Sequence, residues 1–128
     1  MDISIIVPLY NEDESIPELF SWIKRVMTEN GFTYEVIFVD DGSTDNSWAI
    51  IENLQNENSN VKGIKFRRNY GKSPALFCGF KMAQGDYVVT MDADLQDIGM
   101  GLQLPRDSRT RAILLASGVC LTLNWAFL

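Results

Sequence analysis

A short apolar run that ends in oxygen-bearing side chains is the stretch of this chain best suited to chemistry. Residues Tyr87 to Met91 are aromatic, β-branched or apolar, and Asp92, Asp94 and Gln96 follow directly. Carboxylate and amide oxygens favour Mg²⁺ or Mn²⁺, and two carboxylates this close need a cation to stay ionised together. The pattern therefore predicts a divalent metal site at the carboxylate pair of Asp92 and Asp94. The alternative is a simple turn after a strand, where Asp is common.

Two other segments carry acidic groups at the ends of apolar runs. Tyr10 and Glu12 follow the first such run, and Asp40 and Asp41 end the second. A cluster of cations, Arg67 to Lys72, follows the third run, directly ahead of a segment with helical character. Positive charge beside a helix N-terminus favours a phosphate group. The alternative for this cluster is a solvated basic turn.

Alternating apolar runs and helical stripes predict how these groups are positioned. Short buried runs predict strands, and apolar residues at helical spacing predict helices. The predicted strands cover Ile3–Leu9, Tyr34–Val39, Val61–Phe66 and Tyr87–Met91. The predicted helices run over about Ile16–Glu29, with a capping box at Ser15 and Glu18, then Asn46–Gln55, and a third from Ser73–Pro74 to Gly85.

Repeated strand–helix units predict an α/β fold with a doubly wound, mostly parallel sheet and helices on both faces. In such open sheets ligands bind outside the carboxyl ends of the strands. All the polar clusters described above follow strand ends. The sequence therefore predicts that they meet at one edge of the sheet.

Composition limits the function classes that need considering. The chain has 128 residues, 46% of them hydrophobic, which suits a single domain with a real core. A net charge of −6 argues against non-specific nucleic-acid binding. There is no histidine, so acid–base chemistry falls to Asp and Glu. Cys78 and Cys120 match no metal or redox spacing and are expected to be free buried thiols in a reducing compartment. The first residues show no secretory signal.

Four stretches of the chain together resemble a known enzyme family. They are ISIIVPLYNE at 3–12, VDDGSTDNS at 39–47, RNYGK at 68–72 and GDYVVTMDADLQD at 85–97. In this order they resemble the motifs of family-2 inverting glycosyltransferases with the GT-A fold. Within that family, they are most similar to the branch that transfers a sugar to polyprenyl or dolichyl phosphate.

The resemblance implies a Rossmann-like nucleotide-binding half and assigns roles to particular positions. It implies that the nucleoside of a UDP- or GDP-sugar is surrounded by Pro8, Tyr10, Glu12, Asp41 and Asp40. It implies that Arg68 and Lys72 lie near the nucleotide or diphosphate, and that Asp92, Asp94 and Gln96 hold Mg²⁺ or Mn²⁺. The implied acceptor is a lipid phosphate, and the implied location is the cytoplasm or the cytoplasmic face of the membrane.

The resemblance stops after Asp97, where the composition also changes. Residues 1–97 hold 8 basic and 16 acidic groups, whereas 98–128 hold 3 and 1. We therefore predict a nucleotide-sugar-binding region at 1–97 and an atypical tail at 98–128 that is truncated or frame-shifted relative to the family. No residue matches the family's general base, which would come from a later segment, so the catalytic residue is unassigned. Weak or absent sugar transfer is the expected result.

The last segment leaves several interpretations open. Ala112–Leu128 carries no charge and is expected to be a packed helix or strand, a membrane contact or a disordered end. A non-catalytic nucleotide-binding or self-associating module, forming a homo-oligomer, is the alternative function for the whole chain. A nucleotidyltransferase is disfavoured, because the acidic segment Tyr10–Glu14 has the wrong charge for a triphosphate loop.

Overall fold

Four parallel strands form the sheet that positions the candidate site. A computed structural model describes residues 1–93, 111–114 and 120–123 of the chain. The sheet consists of β1 (Ile3–Leu9), β2 (Tyr34–Asp40), β3 (Val61–Lys65) and β4 (Tyr87–Thr90), in the order β3-β2-β1-β4. All three neighbouring pairs are parallel. The predicted parallel α/β sheet is thus confirmed, with strand boundaries within one residue of those expected.

The strand order reverses direction at β1. The chain moves outward from β1 to β2 and β3, then crosses back to place β4 on the opposite side of β1, where Ile3 pairs with Tyr87. Such a reversal leaves a crevice at the carboxyl ends of the two strands between which it occurs. The topology therefore puts the end of β1 beside the end of β4.

Helices cover both faces of the sheet, as the sequence predicts. Helices α1 (Ile16–Glu29) and α2 (Ser47–Glu57) pack on one face, and α3 (Lys72–Met82) packs on the other. The larger core lies beneath α1 and α2 and centres on Phe38, and the smaller core beneath α3 contains Ile37. Neighbouring positions of one strand thus serve opposite cores, as the two-residue period of a strand requires.

The predicted capping box at the start of α1 is wrong. Ser15 precedes the helix but makes no side-chain cap, and its hydroxyl donates to Oε2 of Glu12 at 3.3 Å instead. Ser15 itself has helical backbone angles, so its side chain is not placed as an N-cap requires. The features that favour this helix are therefore the proline in its first turn and its buried apolar stripe.

Helix α3 begins and ends earlier than the sequence predicts. It starts at Lys72 and ends at Met82, and Gly85 belongs to the following turn. A Cβ atom on Gly85 would lie 2.6 Å from the backbone nitrogen of Ser4, so only glycine fits against β1 there. Cys78 on this helix is a free thiol as expected, but it is half-exposed rather than buried.

The described part of the final segment consists of two short strands. Strand β5 (Arg111–Leu114) pairs antiparallel with β6 (Cys120–Leu123), in a sheet separate from the four parallel strands. Across the described ranges 1–93, 111–114 and 120–123, no helix has the length and apolar character that a membrane crossing needs.

A buried carboxylate joins all four parallel strands at their amino ends. Glu35 on β2 is fully buried, and its Oε1 accepts hydrogen bonds from the Ser4 hydroxyl at 2.5 Å and the Gln84 amide at 2.7 Å. Its Oε2 lies 2.6 Å from Nζ of Lys62 on β3. The Ser4 hydroxyl accepts in turn from the amide of Gly85, directly ahead of β4. We call these five residues the amino-edge network.

The charge of Glu35 is stabilised despite its burial. Desolvation alone would raise the pKa of Glu35, but the hydrogen bonds from Lys62, Ser4 and Gln84 and the positive charge of Lys62 outweigh it. The pKa of Glu35 is therefore lower than the ordinary value for Glu. A carboxylate held in this way stabilises the fold as long as it stays ionised.

Candidate functional site

A cleft of about 140 Å³ opens at the carboxyl ends of the strands, at the reversal point of the sheet. Its walls come from the end of β1, the residue after β2, the first residue of α3 and the segment after β4. The lining residues are Pro8, Leu9, Tyr10, Asp41, Lys72 and Asp92. Five of these six residues were predicted from the sequence to belong to a binding site.

Strand alternation explains why these side chains meet on the α3 side of the sheet. Ile6, Val39 and Val88 all belong to the core beneath α3. Side chains two residues further along each strand lie on the same face. Asp41 and Asp92, two and four residues beyond Val39 and Val88, therefore lie on the α3 side, where Lys72 begins the helix.

Asp41 holds the loop that precedes α3. Its carboxylate accepts hydrogen bonds from the amides of Tyr70 at 2.7 Å and Gly71 at 3.0 Å, and the residue is only 6% exposed. Gly42 follows with φ of +78°, and a Cβ there would lie 2.4 Å from the carbonyl carbon of Arg68. The loop thus packs directly on the backbone after β2, which fixes where α3 begins.

Lys72 and Asp92 form an ion pair across the cleft. Nζ of Lys72 lies 2.6 Å from Oδ1 of Asp92, and the two side chains are 55% and 41% exposed. Within residues 1–93, Oδ2 of Asp92 has no hydrogen-bond or ion-pair partner. Exposed pairs of this kind contribute little to stability, about 0 to 1 kcal/mol. Both charged groups are therefore accessible to a ligand at small cost.

The loops after β1 and β2 are bound to each other. Asn11, with φ of +52°, accepts through Oδ1 from the amides of Thr44 at 2.8 Å and Asp45 at 3.3 Å. The amide of Glu12 donates to the Ser47 hydroxyl at 3.0 Å. Much of the polar character of these two segments thus serves to join the loops.

Asp45, an acidic residue in this junction, has a pKa below its ordinary value. Burial alone would raise the pKa of Asp45, but hydrogen bonds from Ser47 and from the amide of Asp13 outweigh it and lower the value. The amide of Asp13 donates to Oδ2 of Asp45 at 3.3 Å, and the amide of Ser47 donates to Oδ1 at 2.9 Å. Asp45 therefore stabilises the start of α2.

Comparison with known proteins identifies the family. Residues 4–102 match the family described as Glycosyl transferase family 2. This chain belongs to glycosyl transferase family 2. Over 96 residues it is 45% identical to the undecaprenyl-phosphate 4-deoxy-4-formamido-L-arabinose transferase of Pseudomonas fluorescens strain SBW25. That match covers 74% of this chain and 28% of the relative, so the chain spans little more than a quarter of the relative's length.

Solved structures of glycosyltransferases share the fold. S. aureus TarS 1-349 in complex with UDP-GlcNAc is 33% identical with a TM-score of 0.64, and the match covers 73% of this chain and 27% of that one. The mannosyltransferase PcManGT from Pyrobaculum calidifontis, in complex with GDP-Man and Mn²⁺, is 29% identical with a TM-score of 0.62. That match covers 72% of this chain and 27% of PcManGT. The predicted GT-A fold is confirmed.

The predicted site residues of this family-2 chain fall into three groups. Pro8, Tyr10, Asp41, Lys72 and Asp92 line one cleft. A second group is close in sequence to residues of the cleft but does not line it, namely Glu12, Asp40 and Arg68. Asp94 and Gln96 lie outside the described residues.

The residues of the second group, Asp40, Arg68 and Glu12, make their contacts outside the cleft. Asp40 is fully buried on the α1 and α2 side, where its Oδ1 accepts from the amide of Ser43 at 2.8 Å. Its Oδ2 has no hydrogen-bond partner within the described part of the chain. The guanidinium carbon of Arg68 lies 4.8 Å from the centre of the Tyr70 ring, on the exposed surface of the loop. Glu12 accepts from Ser15, next to the helix α1 start.

The sequence-based search missed Leu9 and Glu35. Leu9 lines the cleft although it is an ordinary core residue of β1. Glu35 carried a usable signal, because it is the only charged residue in the apolar run Tyr34–Val39. A charge inside a buried strand needs a partner. Its partners, however, come from three other segments that the sequence does not mark as neighbours.

The groups available to a metal in the described residues are few. No cluster of three or more Asp, Glu, Cys or His side chains is present within 1–93, 111–114 and 120–123. Asp92 fits one ligand position of Mg²⁺ or Mn²⁺, because its carboxylate is accessible and Oδ2 is not used by another described residue. Asp92 is therefore the group through which this part of the chain would bind a divalent ion.

Proposed function

We propose that this chain binds the nucleoside diphosphate of a UDP- or GDP-sugar, with Mg²⁺ or Mn²⁺, as the donor-binding part of an inverting glycosyltransferase. The observation that carries the proposal is the convergence of Pro8, Tyr10, Asp41, Lys72 and Asp92 at one cleft of a family-2 chain. The named relative acts on undecaprenyl phosphate, and two structural neighbours were solved with UDP-GlcNAc and with GDP-Man. These names support a sugar donor and a polyprenyl phosphate acceptor.

The nucleoside would lie against the end of β1. Tyr10 is 45% exposed and offers an aromatic face beside Pro8. A base stacked there would gain about 1 to 3 kcal/mol from the aromatic contact. Asp41 has an acceptor-only carboxylate, which can take an N–H of the base while it keeps its bonds to Tyr70 and Gly71. Both uracil and guanine present such a donor, so the cleft suits either nucleotide.

The diphosphate would lie between Lys72 and Asp92. Lys72 supplies a positive charge at the start of α3, where the helix dipole also favours an anion. Asp92 would hold the divalent ion, together with Asp94 and Gln96 as the family resemblance implies. The ion, when bound, stabilises the departing nucleoside diphosphate as a Lewis acid. The chain's own residues bind and orient the donor.

The transfer step needs a general base and an acceptor site that we assign to no residue here. In the full-length relatives we expect these to come from a later segment. We therefore limit the proposal to donor and metal binding, at the cytoplasmic face of a membrane. The homo-oligomer of the alternative function is tested separately, by sedimentation of the chain.

Calorimetric titration tests the proposal directly. UDP, GDP, UDP-GlcNAc and GDP-Man are titrated into the full chain with Mn²⁺ present and absent. We expect one nucleotide to bind, with affinity raised by Mn²⁺. The Tyr10→Ala variant should bind more weakly, whereas Phe32→Ala, an exposed aromatic outside the cleft, should not. Absence of binding by all four compounds would contradict the proposal.

A further inference from the structure

The Lys72–Asp92 ion pair joins the two charged side chains that the proposed function assigns to the diphosphate and to the metal ion. Nζ of Lys72 lies 2.6 Å from Oδ1 of Asp92, so a divalent ion bound to the same carboxylate would have the ammonium as a close like charge. Lys72 is also the cation nearest the start of α3 that lines the cleft. Lys72 therefore has two possible partners, the Asp92 carboxylate and the donor diphosphate, and its ammonium cannot bind both from one position.

We propose that Lys72 is an exchangeable counter-ion: it neutralises Asp92 in the free protein, is displaced by the divalent ion, and then binds the donor diphosphate. This inference rests on the proposed function and adds an order of events and a competition to it. It makes Lys72 a positioning and binding residue with two partners rather than a fixed structural cation.

The charges lining the cleft support this exchange. Asp41 and Asp92 contribute two negative charges and Lys72 one positive charge. A diphosphate alone would add negative charge to a cleft that is already negative. A divalent ion at Asp92 reverses the sign and repels the Lys72 ammonium, which is then free to meet the diphosphate. Metal and donor would thus favour each other, while metal and Lys72 would compete for the same carboxylate.

The geometry makes the movement easy. Lys72 is 55% exposed, and no other hydrogen bond or ion pair of its ammonium is found among the described residues. The lysine side chain is a flexible four-carbon stem with a compact charge. Breaking an exposed pair of this kind costs little, so a doubly charged ion can replace the ammonium. By contrast, Asp41 is bound to two backbone amides and does not need to move.

The experiment measures two affinities in one set of variants. Mn²⁺ affinity without nucleotide is measured by electron paramagnetic resonance of the free ion, and UDP affinity is measured by calorimetry in saturating Mn²⁺. The variants are Lys72→Met, Lys72→Arg and Lys81→Met. Lys81 lies on the same helix but on its outer surface, above the Phe77 ring, and serves as the matched control.

The two affinities should change in opposite directions. In Lys72→Met we expect Mn²⁺ to bind about two- to fivefold more tightly, because its competitor is gone. UDP should bind about tenfold more weakly or worse, because a charged hydrogen bond to phosphate is lost. Lys72→Arg keeps a cation and should stay near the unmodified protein in both assays. Lys81→Met should change neither affinity.

The outcomes separate this proposal from the one on which it rests. If the unmodified chain binds both Mn²⁺ and UDP but Lys72→Met leaves Mn²⁺ binding unchanged or weaker, the exchange is wrong and the donor site stands. Unchanged UDP affinity in Lys72→Met would also overturn the exchange. If the unmodified chain and Lys72→Met both fail to bind Mn²⁺ and UDP, the donor site and the exchange fail together.

Discussion

The two edges of the parallel sheet each contain a lysine–carboxylate pair, and the two pairs differ in burial and in the number of other partners that the carboxylate has. Both pairs have N···O separations of 2.6 Å. At the amino edge Glu35 has a fully buried side chain, whereas at the carboxyl edge Asp92 is 41% exposed. Glu35 also binds Ser4 and the Gln84 amide, while Asp92 has Lys72 alone among the described residues.

The difference shows how one interaction can serve the fold in one place and a ligand in another. A buried carboxylate that loses its partner is left without solvent, so breaking such a pair is costly. An exposed pair is replaced by water at almost no cost. We infer that the pair at the amino edge stabilises the fold, whereas the pair at the carboxyl edge can exchange its partner for a ligand.

The largest effect is expected from Glu35→Gln. The amide keeps the shape of the side chain but removes the charge that Lys62 and the two hydrogen-bond donors stabilise. We expect the free energy of unfolding to fall by about 2 to 4 kcal/mol, as measured by urea denaturation. The control is Glu52→Gln, an exposed position on α2, which should change stability by less than about 0.5 kcal/mol. Equal effects at the two positions would contradict the role of the amino-edge network.

At the carboxyl edge, the substitution expected to reduce stability most is one that strains the backbone, Gly42→Ala, rather than one that removes a charge. In Gly42→Ala the new Cβ would overlap the Arg68 carbonyl carbon, and the backbone angle is also unfavourable. We expect a loss of about 3 kcal/mol and weaker UDP binding, because the loop before α3 must shift. Gly31→Ala is the matched control, since its φ is +70° but nothing lies within 4 Å of its Cβ. It should lose about 1 kcal/mol from backbone strain alone.

The pH dependence of stability should distinguish the unmodified chain from Glu35→Gln. The pKa of Glu35 is lowered in the folded state, so its contribution is present above the unfolded-state pKa and is lost as pH falls through the folded-state value. The stability difference between the two proteins should therefore be greatest near neutral pH and shrink below the ordinary value of 4.5. Urea denaturation between about pH 3 and 7 measures it.

Other acids do not confuse this comparison. The pKa values of Asp2 and Asp45 are also lowered, by hydrogen bonds from Thr33 in the first case and from Ser47 and Asp13, against burial, in the second. Both residues are present in both proteins, so their contributions cancel in the difference. A difference that stays constant with pH would show that the ionisation of Glu35 does not contribute to stability.

The smallest effect on stability is expected from Asp92→Asn. The exposed pair with Lys72 contributes little, so the free energy of unfolding should change by less than about 0.5 kcal/mol. Mn²⁺ binding, by contrast, should be lost or reduced at least about tenfold, because a neutral amide is a poorer ligand than a carboxylate. Urea denaturation and the resonance signal of free Mn²⁺ measure the two quantities. A large loss of stability, or unchanged metal binding, would remove the contrast between the two edges.

The sequence predicts the sheet and the helices well because both depend on local periodicity. The run Ile3–Leu9 and the stripe of α1 need no knowledge of their neighbours to be recognised. The convergence of Tyr10, Asp41 and Asp92 also follows, since carboxyl ends of parallel strands meet at one edge. These parts of the cleft were predictable.

What the sequence does not predict depends on which face a residue takes and which segments become neighbours. Asp40 and Asp41 are adjacent and chemically identical, yet one lies buried on the α1 side and the other lines the cleft. A shift of one position in a strand reverses the face, and the sequence gives no register there. Glu12 lies only two residues after Tyr10, but its amide donates to the Ser47 hydroxyl and its carboxylate accepts from Ser15.

The place of β4 in the sheet has a consequence for how the cleft forms during folding. Ile3 pairs with Tyr87, so β4, the last strand of the parallel sheet in chain order, pairs with the first strand across most of the described chain. Such distant pairing is slow, because the intervening chain must be ordered first. An intermediate containing only β1, β2 and β3 would already hold Pro8, Tyr10 and Asp41 but would lack Asp92. Affinity for a metal-bound donor should therefore appear in the final step of folding, and a bound donor would slow unfolding by holding β4 against β1.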